Sequence, residues 1–306
     1  MAEAASTAKT VDPRTIDLGV PDNEVLYSVR DRVATITLNR PERMNATNLT
    51  LPYSVSKGML QAANDPQVRV IVLTGAGKAF CAGADRQRLE AGKVGAPRPI
   101  YPPDDPAFFE AVTNKLGPDL GSEFMDVRRY SYFMRIGKPI IAALNGAAAG
   151  GGIIPALCAD IRLADETMFF TTSFAQRGLI AEHGISWLLP RLVGPSRALE
   201  MLMTARRISA PEAEAMGLVN KVLPHATFRD DVQAYAAKIA TTVSPRSLAV
   251  MKAQVWKAMA QSFRDALATA DVQLELSVKT SDYVEGVSHF LDKRAANFPD
   301  LDPERG

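Results

Sequence analysis

The spacing of apolar and polar residues predicts β-strands near the start of the chain. Residues 25–39 contain two β-rich runs with a charged break at residues 30–32, which predicts a hairpin. A helix is expected over about residues 48–64. The run RVIVLTG at residues 69–75 is rich in β-branched residues and ends in glycine, so it predicts a buried strand.

Helices and strands then alternate around a cluster of glycines. We expect a helix over 121–136, a strand over 140–145, the glycines at 150–152, a helix ending at Cys158 and a strand over 160–164. Such alternation is typical of parallel strands joined by helical crossovers. The fold class predicted is therefore α/β, with a largely parallel sheet and covering helices.

The second half of the chain is predicted to be mainly helical. Helices are expected over 195–204, 210–216, 228–241 and 245–261, followed by a long set ending at Ala296.

Three regions follow from these patterns. They are a flexible N-terminal arm (1–24), a core (25–223) and a C-terminal helical region (224–306). Six prolines within 94–118 exclude a continuous helix and predict an irregular insertion. Its aromatic residues would suit a lid over a ligand, and an exposed, partly disordered loop is the alternative.

Composition excludes several classes of function. The 306 residues carry 35 Lys and Arg against 34 Asp and Glu, so no excess positive charge favours nucleic acid binding. Two cysteines and three scattered histidines give neither a disulfide framework nor a zinc-ligand spacing. We therefore expect no metal, no nucleic acid partner and a cytoplasmic location.

Residues 139–159 contain no charged side chain and are long enough to cross a bilayer. A membrane span is nevertheless a poor interpretation, because each glycine in a helix costs about 1 kcal/mol relative to alanine. Placed between a strand and a helix, the glycines at 150–152 instead expose backbone N–H groups that can hold negative charge. No membrane association is expected.

A second glycine loop, GAGKAFCAGAD at residues 75–85, follows the predicted strand 69–75. It matches neither G-x-x-x-x-G-K-[ST] nor G-x-G-x-x-G, so nucleotide hydrolysis and dinucleotide binding are not indicated. A glycine loop by itself is more often a turn than a site. If the strands that precede the two loops are neighbours, however, the loops together form an oxyanion hole.

Five segments in order carry a resemblance to the enoyl-CoA hydratase/isomerase superfamily, the crotonases. They are LNRPERMNA (38–46), GKAFCAGAD (77–85), KPIIAALNGAAAGGG (138–152), WLLPRLVG (187–194) and ISAPEAEAMGLVNKVLP (208–224). The resemblance implies a spiral of ββα units whose C-terminal helices assemble a trimer or a dimer of trimers. It also implies an acyl-CoA thioester substrate and no permanently bound cofactor, with coenzyme A present as part of the substrate.

Site residues follow from the same resemblance. The N–H groups of Ala84 and Gly151 would bind the thioester oxygen as an enolate forms. Coenzyme A contacts are expected from two loops and, for the coenzyme of a neighbouring subunit, from the C-terminal helix. The matching residues are Arg43, Met44, Ala46, Ala82, Asp85, Arg86, Gln87, Phe290 and Lys293.

The chain departs from the family pattern at the catalytic carboxylates. Where hydratases of the family carry two glutamates, this sequence has Ile154 and Phe174. Glu182 matches an acidic residue of some family isomerases, which shuttles a proton between carbons of the acyl chain. His183 could orient Glu182, act itself or face solvent, and solvent is expected. The four residues 130 and 132–134 are expected either to line an acyl pocket or to lie in the core.

Double-bond isomerisation of an enoyl-CoA with Glu182 as the single base is therefore the leading prediction. Hydration of a 2-enoyl-CoA by Glu182, or hydrolysis of a carbon–carbon bond, is the alternative enzymatic reaction. A protein that binds CoA thioesters without catalysis is the alternative of another class. The apolar Ile154 and Phe174 favour a bulky hydrophobic acyl group.

Overall fold

The structure is a computed structural model that describes residues 23–93 and 130–301. The predicted insertion at 94–118 lies outside the described residues, as does nearly all of the predicted arm at 1–24. Of the helix expected over 121–136, only the end is described. There residues Ser131–Arg135 form a 3-10 helix.

The described chain contains ten strands and ten α-helices. The strands are β1 (Val25–Arg30), β2 (Val33–Leu38), β3 (Val70–Gly75), β4 (Ala79–Cys81), β5 (Ile140–Leu144), β6 (Ala147–Ala149), β7 (Ile161–Asp165), β8 (Phe169–Thr171), β9 (Ile208–Ser209) and β10 (Lys221–Leu223). The helices are α1 (Leu51–Asn64), α2 (Arg86–Lys93), α3 (Ile154–Cys158), α4 (Ile185–Val193), α5 (Pro195–Thr204), α6 (Ala210–Ala215), α7 (Phe228–Thr242), α8 (Pro245–Ala258), α9 (Phe263–Ser277) and α10 (Ser281–Asp292).

The larger sheet has six strands in the order β1-β2-β3-β5-β7-β10. Only the β1–β2 hairpin is antiparallel, and every other pair is parallel. Because β3 and β5 are adjacent, the chain leaves both strands at the same edge of the sheet. The predicted parallel sheet is confirmed, and so is the hairpin at its border.

A second sheet, in the order β4-β6-β8-β9, stands beside this edge. Its strands have only two or three residues each, and β4, β6 and β8 run parallel. The sequence did not predict this sheet. Runs as short as AAA in β6 have no strand propensity of their own, so only tertiary contacts make them extended.

Apolar side chains cover both faces of the larger sheet, as parallel strands require. On one face, Val33, Val70 and Ile141 pack against Phe228 and Val232 of α7. On the other face lies a larger core that includes α1, α3, α4 and the second sheet. This larger core supports the loops that follow β4 and β6.

The C-terminal helices α8 to α10 leave many apolar side chains at the surface. Phe263 is 85% exposed and Phe290 is 76% exposed, and Met251, Val255 and Val284 are also exposed. An exposed apolar surface of this kind is typical of an interaction surface. The trimerisation role expected for this region stays a prediction. None of the helices within 23–93 and 130–301 is long and apolar enough to cross a membrane.

Candidate functional site

Two glycine-containing loops leave neighbouring parallel strands and meet. β4 ends at Cys81 and β6 ends at Ala149, and the two strands pair in parallel. A Cβ on Gly83 would stand 2.7 Å from the Ala149 carbonyl oxygen and 3.6 Å from the Gly150 Cα. The two loops therefore follow adjacent strands and touch each other. This is the arrangement that the predicted oxyanion hole requires.

Each loop presents one backbone N–H that its own secondary structure does not use. The bridge between Thr47 and Ala84 is made by the N–H of Thr47 to the Gly83 oxygen at 2.6 Å and by the N–H of Asp85 to the Thr47 oxygen at 3.0 Å. The N–H of Ala84 therefore points away from Thr47. Gly151 is the second residue of the 3-10 helix Gly150–Ile153, where an N–H has no partner within the helix.

The glycines of the second loop differ in what they require. A Cβ on Gly152 would lie 2.3 Å from the Cys81 carbonyl oxygen and 2.7 Å from its Sγ, so no side chain fits there. Gly150 has φ +50°, a conformation that favours glycine. Among the described residues, a Cβ on Gly151 would come within 4 Å of the ring of His183 alone, at 3.9 Å. Gly150 and Gly151 both line the cleft, and of these two Gly151 does not have a left-handed backbone.

Two buried asparagines hold the chain between β3 and β4. Asn45 Nδ2 donates to the carbonyl oxygens of Ala76 and Ala79 at 2.9 Å and 2.7 Å. Asn145 Oδ1 accepts from the Gly75 N–H at 3.0 Å, while its Nδ2 donates to the Gly77 oxygen at 3.1 Å. The sequence reasoning assigned no role to either amide. The sequence feature that could have indicated these roles is that Asn45 and Asn145 belong to two of the segments that carry the family resemblance, LNRPERMNA and KPIIAALNGAAAGGG, next to the two glycine loops.

Asp85 and Arg40 form a second support beneath the loops. Arg40 Nη2 donates to Asp85 Oδ2 at 2.9 Å, and Arg40 also donates to the Ala46 carbonyl. Burial alone would raise the pKa of Asp85, but hydrogen bonds from the Gln87 N–H and Arg40, together with the charge of Arg40, hold it below its usual value. These contacts give the Asp85 carboxylate a structural role, and the coenzyme A contact expected of Asp85 stays a prediction.

The other residues expected to contact coenzyme A fall in three places. Ala82 lines the cleft, and its N–H donates to the Met44 oxygen at 3.0 Å, so the two loops expected to bind coenzyme A adjoin each other. Ala46 is buried. The exposed ones are Arg43, Met44, Arg86, Gln87, Phe290 and Lys293. The role of each in binding coenzyme A stays a prediction.

The loops open onto a cleft with about 760 Å³ of empty space, part of it open to solvent. Its lining combines backbone from the two loops with mainly apolar side chains. Ile154 and Phe174, which are 1% and 4% exposed, both line it. Among the described residues that line the cleft, the ionisable ones are Tyr130, Arg177, Glu182 and His183.

Glu182 is the carboxylate among those lining residues. Its Oε2 lies 3.6 Å from His183 Nε2, and the two side chains are 18% and 19% exposed. The expectation that His183 faces solvent is therefore wrong, because its ring is turned into the cleft beside Gly151. The backbone is left-handed at His183 and Gly184, with φ +57° and +76°, just before α4 begins. At this turn the side chains of Glu182 and His183 both line the cleft.

The aromatic segment at residues 130–134 divides between the two expected roles. Tyr132 and Phe133 are fully buried in the core, and Met134 is 7% exposed. Tyr130 lines the cleft. Within 23–93 and 130–301, no group of three or more His, Cys, Asp or Glu side chains could hold a metal ion.

Comparison with known proteins assigns the family. The sequence matches the family description "Enoyl-CoA hydratase/isomerase" over residues 28–116 and 108–301. This chain belongs to the enoyl-CoA hydratase/isomerase family. The resemblance read from the five segments is thereby confirmed, and the protein is an enzyme of a family that acts on acyl-CoA thioesters.

Curated relatives of this family member differ in the reactions that their names state. The chain is 36% identical to "Probable enoyl-CoA hydratase EchA12" of Mycobacterium tuberculosis, over 89% of this chain and 90% of the relative. It is 33% identical to "1,2-epoxyphenylacetyl-CoA isomerase" of Escherichia coli, over 90% of this chain and 97% of the relative. The family is therefore fixed by these relatives, while the reaction is not.

Solved structures confirm the crotonase fold. A probable enoyl-CoA hydratase/isomerase from Mycobacterium abscessus superposes with a TM-score of 0.75 at 32% identity, covering 91% of this chain and 99% of that one. A "putative enoyl-CoA hydratase" from Streptomyces coelicolor A3(2) superposes with a TM-score of 0.77 at 26% identity, covering 96% of this chain and 99% of that one. The predicted spiral of ββα units with a C-terminal helical region is thus the fold observed.

Proposed function

We propose that this enzyme isomerises the double bond of an enoyl-CoA, with Glu182 as the single base. The observation that carries the proposal is the composition of the cleft. Glu182 is the carboxylate among its described lining residues, while Ile154 and Phe174 contribute apolar side chains to the same lining. One base that removes and returns a proton suffices for isomerisation.

The proton transfer can be written atom by atom for a 3-enoyl-CoA. Glu182 removes a proton from C2. The electron pair of the broken C2–H bond is delocalised over the C3–C4 double bond and the thioester carbonyl. The resulting dienolate carries negative charge on the thioester oxygen, which the N–H groups of Ala84 and Gly151 would stabilise. Glu182 then returns the proton to C4, and the double bond lies between C2 and C3.

Apolar residues around the cleft support a hydrophobic acyl group as the substrate. Pro52, Leu89 and Leu179 line it together with Ile154 and Phe174. Such residues neither bind nor polarise a water molecule, which disfavours addition of water to the double bond. A hydrophobic acyl chain would bury apolar surface against these side chains.

Binding of coenzyme A is proposed at the mouth of the same cleft. Arg43 is exposed on the loop next to Ala82, and its guanidinium could pair with a phosphate group. Phe290 and Lys293 lie at the end of α10 and would reach the coenzyme of a neighbouring subunit. The exposed apolar side chains of α8 to α10 support a trimer or a dimer of trimers.

Hydration of a 2-enoyl-CoA is the second candidate, and the names of relatives favour it. Several of them are called enoyl-CoA hydratases or crotonyl-CoA hydratase. In this chain Glu182 would then have to activate water without a second carboxylate from position 154 or 174. The two reactions give different products from the same 2-enoyl-CoA, so one assay separates them.

The test follows the products of 3-hexenoyl-CoA and of 2-hexenoyl-CoA with the purified enzyme. We expect conversion of the first to 2-hexenoyl-CoA and little 3-hydroxyhexanoyl-CoA from the second. Glu182→Gln should lower the isomerisation rate by about 10² to 10⁴, the usual contribution of a general base. Glu275→Gln, at an exposed position of α9, is the matched control and should leave the rate unchanged.

Rapid formation of 3-hydroxyhexanoyl-CoA that survives Glu182→Gln would contradict the proposal. Binding of both thioesters without any product, across short and long acyl chains, would instead indicate a family member that binds CoA thioesters without catalysis.

A further inference from the structure

We propose that His183 is a positioning residue that holds the Glu182 carboxylate beside the Gly151 loop. The inference rests on the proposed function of Glu182 as the base. It goes further by choosing among the alternatives that the sequence left open for His183. Its observations are the backbone conformation at 183, the contacts of the ring and the room left by Gly151.

The backbone at His183 is in an unfavourable conformation. A residue with a side chain in the left-handed region costs about 1 to 2 kcal/mol, and His183 has φ +57°. The next residue, Gly184, is also left-handed, so two such residues in succession reverse the chain ahead of α4. The consequence of this turn is that residues 182 and 183 both face the cleft.

The ring of His183 lies between the carboxylate and the glycine loop. Its Nε2 is 3.6 Å from Glu182 Oε2, and its Nε2 and Cδ2 are each 3.9 Å from the position that a Cβ on Gly151 would take. A Cβ at position 151 would therefore be in van der Waals contact with the ring. The imidazole therefore links the residue proposed to move the proton with the loop proposed to hold the oxyanion.

The separation of 3.6 Å between His183 Nε2 and Glu182 Oε2 is longer than a hydrogen bond. Catalytic hydrogen bonds are often long in the absence of substrate and shorten when it binds. An imidazole N–H that donates to Glu182 would fix which oxygen faces the acyl chain. Arg177, a guanidinium within the described lining, donates to the Ser173 carbonyl at 2.9 Å.

Two substitutions of His183 separate positioning from folding. Asparagine tolerates the left-handed conformation better than other residues with side chains, so His183→Asn should fold, but its short amide cannot reach Glu182. His183→Gln places an amide nitrogen near the position of Nε2. Thermal unfolding of both variants checks that the fold is retained.

The assay is isomerisation of 3-hexenoyl-CoA, with kcat and KM determined separately. We expect kcat of His183→Asn to fall by about 10- to 100-fold, the loss typical of a hydrogen bond to a charged group, with KM little changed. His183→Gln should keep kcat within about threefold of wild type. In a Glu182→Gln background, His183→Asn should cause no further loss, because its effect acts through that carboxylate.

Two results would overturn the inference while leaving the proposed function intact. One is a wild-type kcat in His183→Asn. The other is a loss in His183→Asn that is equally large in the Glu182→Gln background, since the two residues would then act independently. Full activity of Glu182→Gln alone would be a different outcome, because it removes the proposed function and this inference together.

Discussion

The two walls of the cleft are built from different parts of the chain. One wall is backbone, formed by the loops after β4 and β6, and it is held by buried amides and by close packing at Gly152. The other wall is formed by side chains, among them Ile154, Phe174 and Glu182. The first wall carries features that this chain shares with its family, whereas the second carries the departures. Under the proposed function, binding of the thioester and choice of reaction therefore depend on different residues.

The largest expected effect comes from crowding the backbone wall. Gly152→Ala places a methyl group 2.3 Å from the Cys81 carbonyl, so the loop or β4 has to move. We expect the free energy of unfolding to fall by about 3 kcal/mol, the upper end for overpacking. Urea unfolding measures this loss.

Gly151→Ala is the matched control, because within the described part of the chain its methyl group would contact the His183 ring alone, at 3.9 Å. Its stability should stay within about 1 kcal/mol of wild type. If both alanine variants were equally stable, the backbone wall would not be as tightly packed as the structure indicates.

A smaller effect is expected beneath the same wall, at Asp85. Asp85→Asn removes a carboxylate that accepts hydrogen bonds from Arg40 and from the Gln87 N–H. We expect a loss of about 2 kcal/mol at neutral pH, the usual value for hydrogen bonds to a charged group. At saturating substrate, kcat should stay close to the wild-type value, although the free energy of unfolding is lower.

The pH dependence of that loss follows from the lowered pKa of Asp85. An aspartate in the unfolded chain has a pKa of about 3.9. Above that pH the carboxylate is charged in both the folded and the unfolded state, so its contribution to stability is complete. As the pH falls through the lower folded value, the folded protein also takes up the proton and the contribution is lost. The stability difference between wild type and Asp85→Asn should therefore shrink below about pH 4. A constant difference down to strong acid would contradict this role.

The smallest effect is expected on the side-chain wall. Phe174→Leu removes part of a buried ring, and we expect a loss of stability of about 1 kcal/mol. The ratio of kcat/KM for long and short 3-enoyl-CoA substrates should shift, because Phe174 shapes the space beside the acyl chain. An unchanged ratio would indicate that the acyl chain does not occupy this side of the cleft.

Much of the fold was predictable because its longer elements have strong patterns. Strands such as β3 and β5 are continuous apolar runs, and the glycines after them marked the loops at 75–85 and 150–152. The second sheet was not predictable. Its strands of two or three residues become extended only because the larger core holds them there.

The candidate site was predictable where its residues belong to sequence motifs. Glu182, Ala84 and Gly151 line one cleft as the sequence indicated. The roles of Asn45 and Asn145 were missed, because each donates to carbonyls more than 30 positions away in the chain. Such contacts leave no periodic signal. The inward turn of His183 was missed because a left-handed histidine cannot be inferred from residue type.

The central claim, proton transfer between acyl carbons by Glu182, is tested most directly by hydrogen exchange in heavy water. The enzyme is incubated with 2-hexenoyl-CoA and 3-hexenoyl-CoA in deuterium oxide, and deuterium is located by mass spectrometry and NMR. The account predicts deuterium at C2 and C4 with the wild-type enzyme and a loss of this exchange in Glu182→Gln. Absence of exchange at both carbons while the thioesters still bind, or exchange that persists in Glu182→Gln, would contradict it.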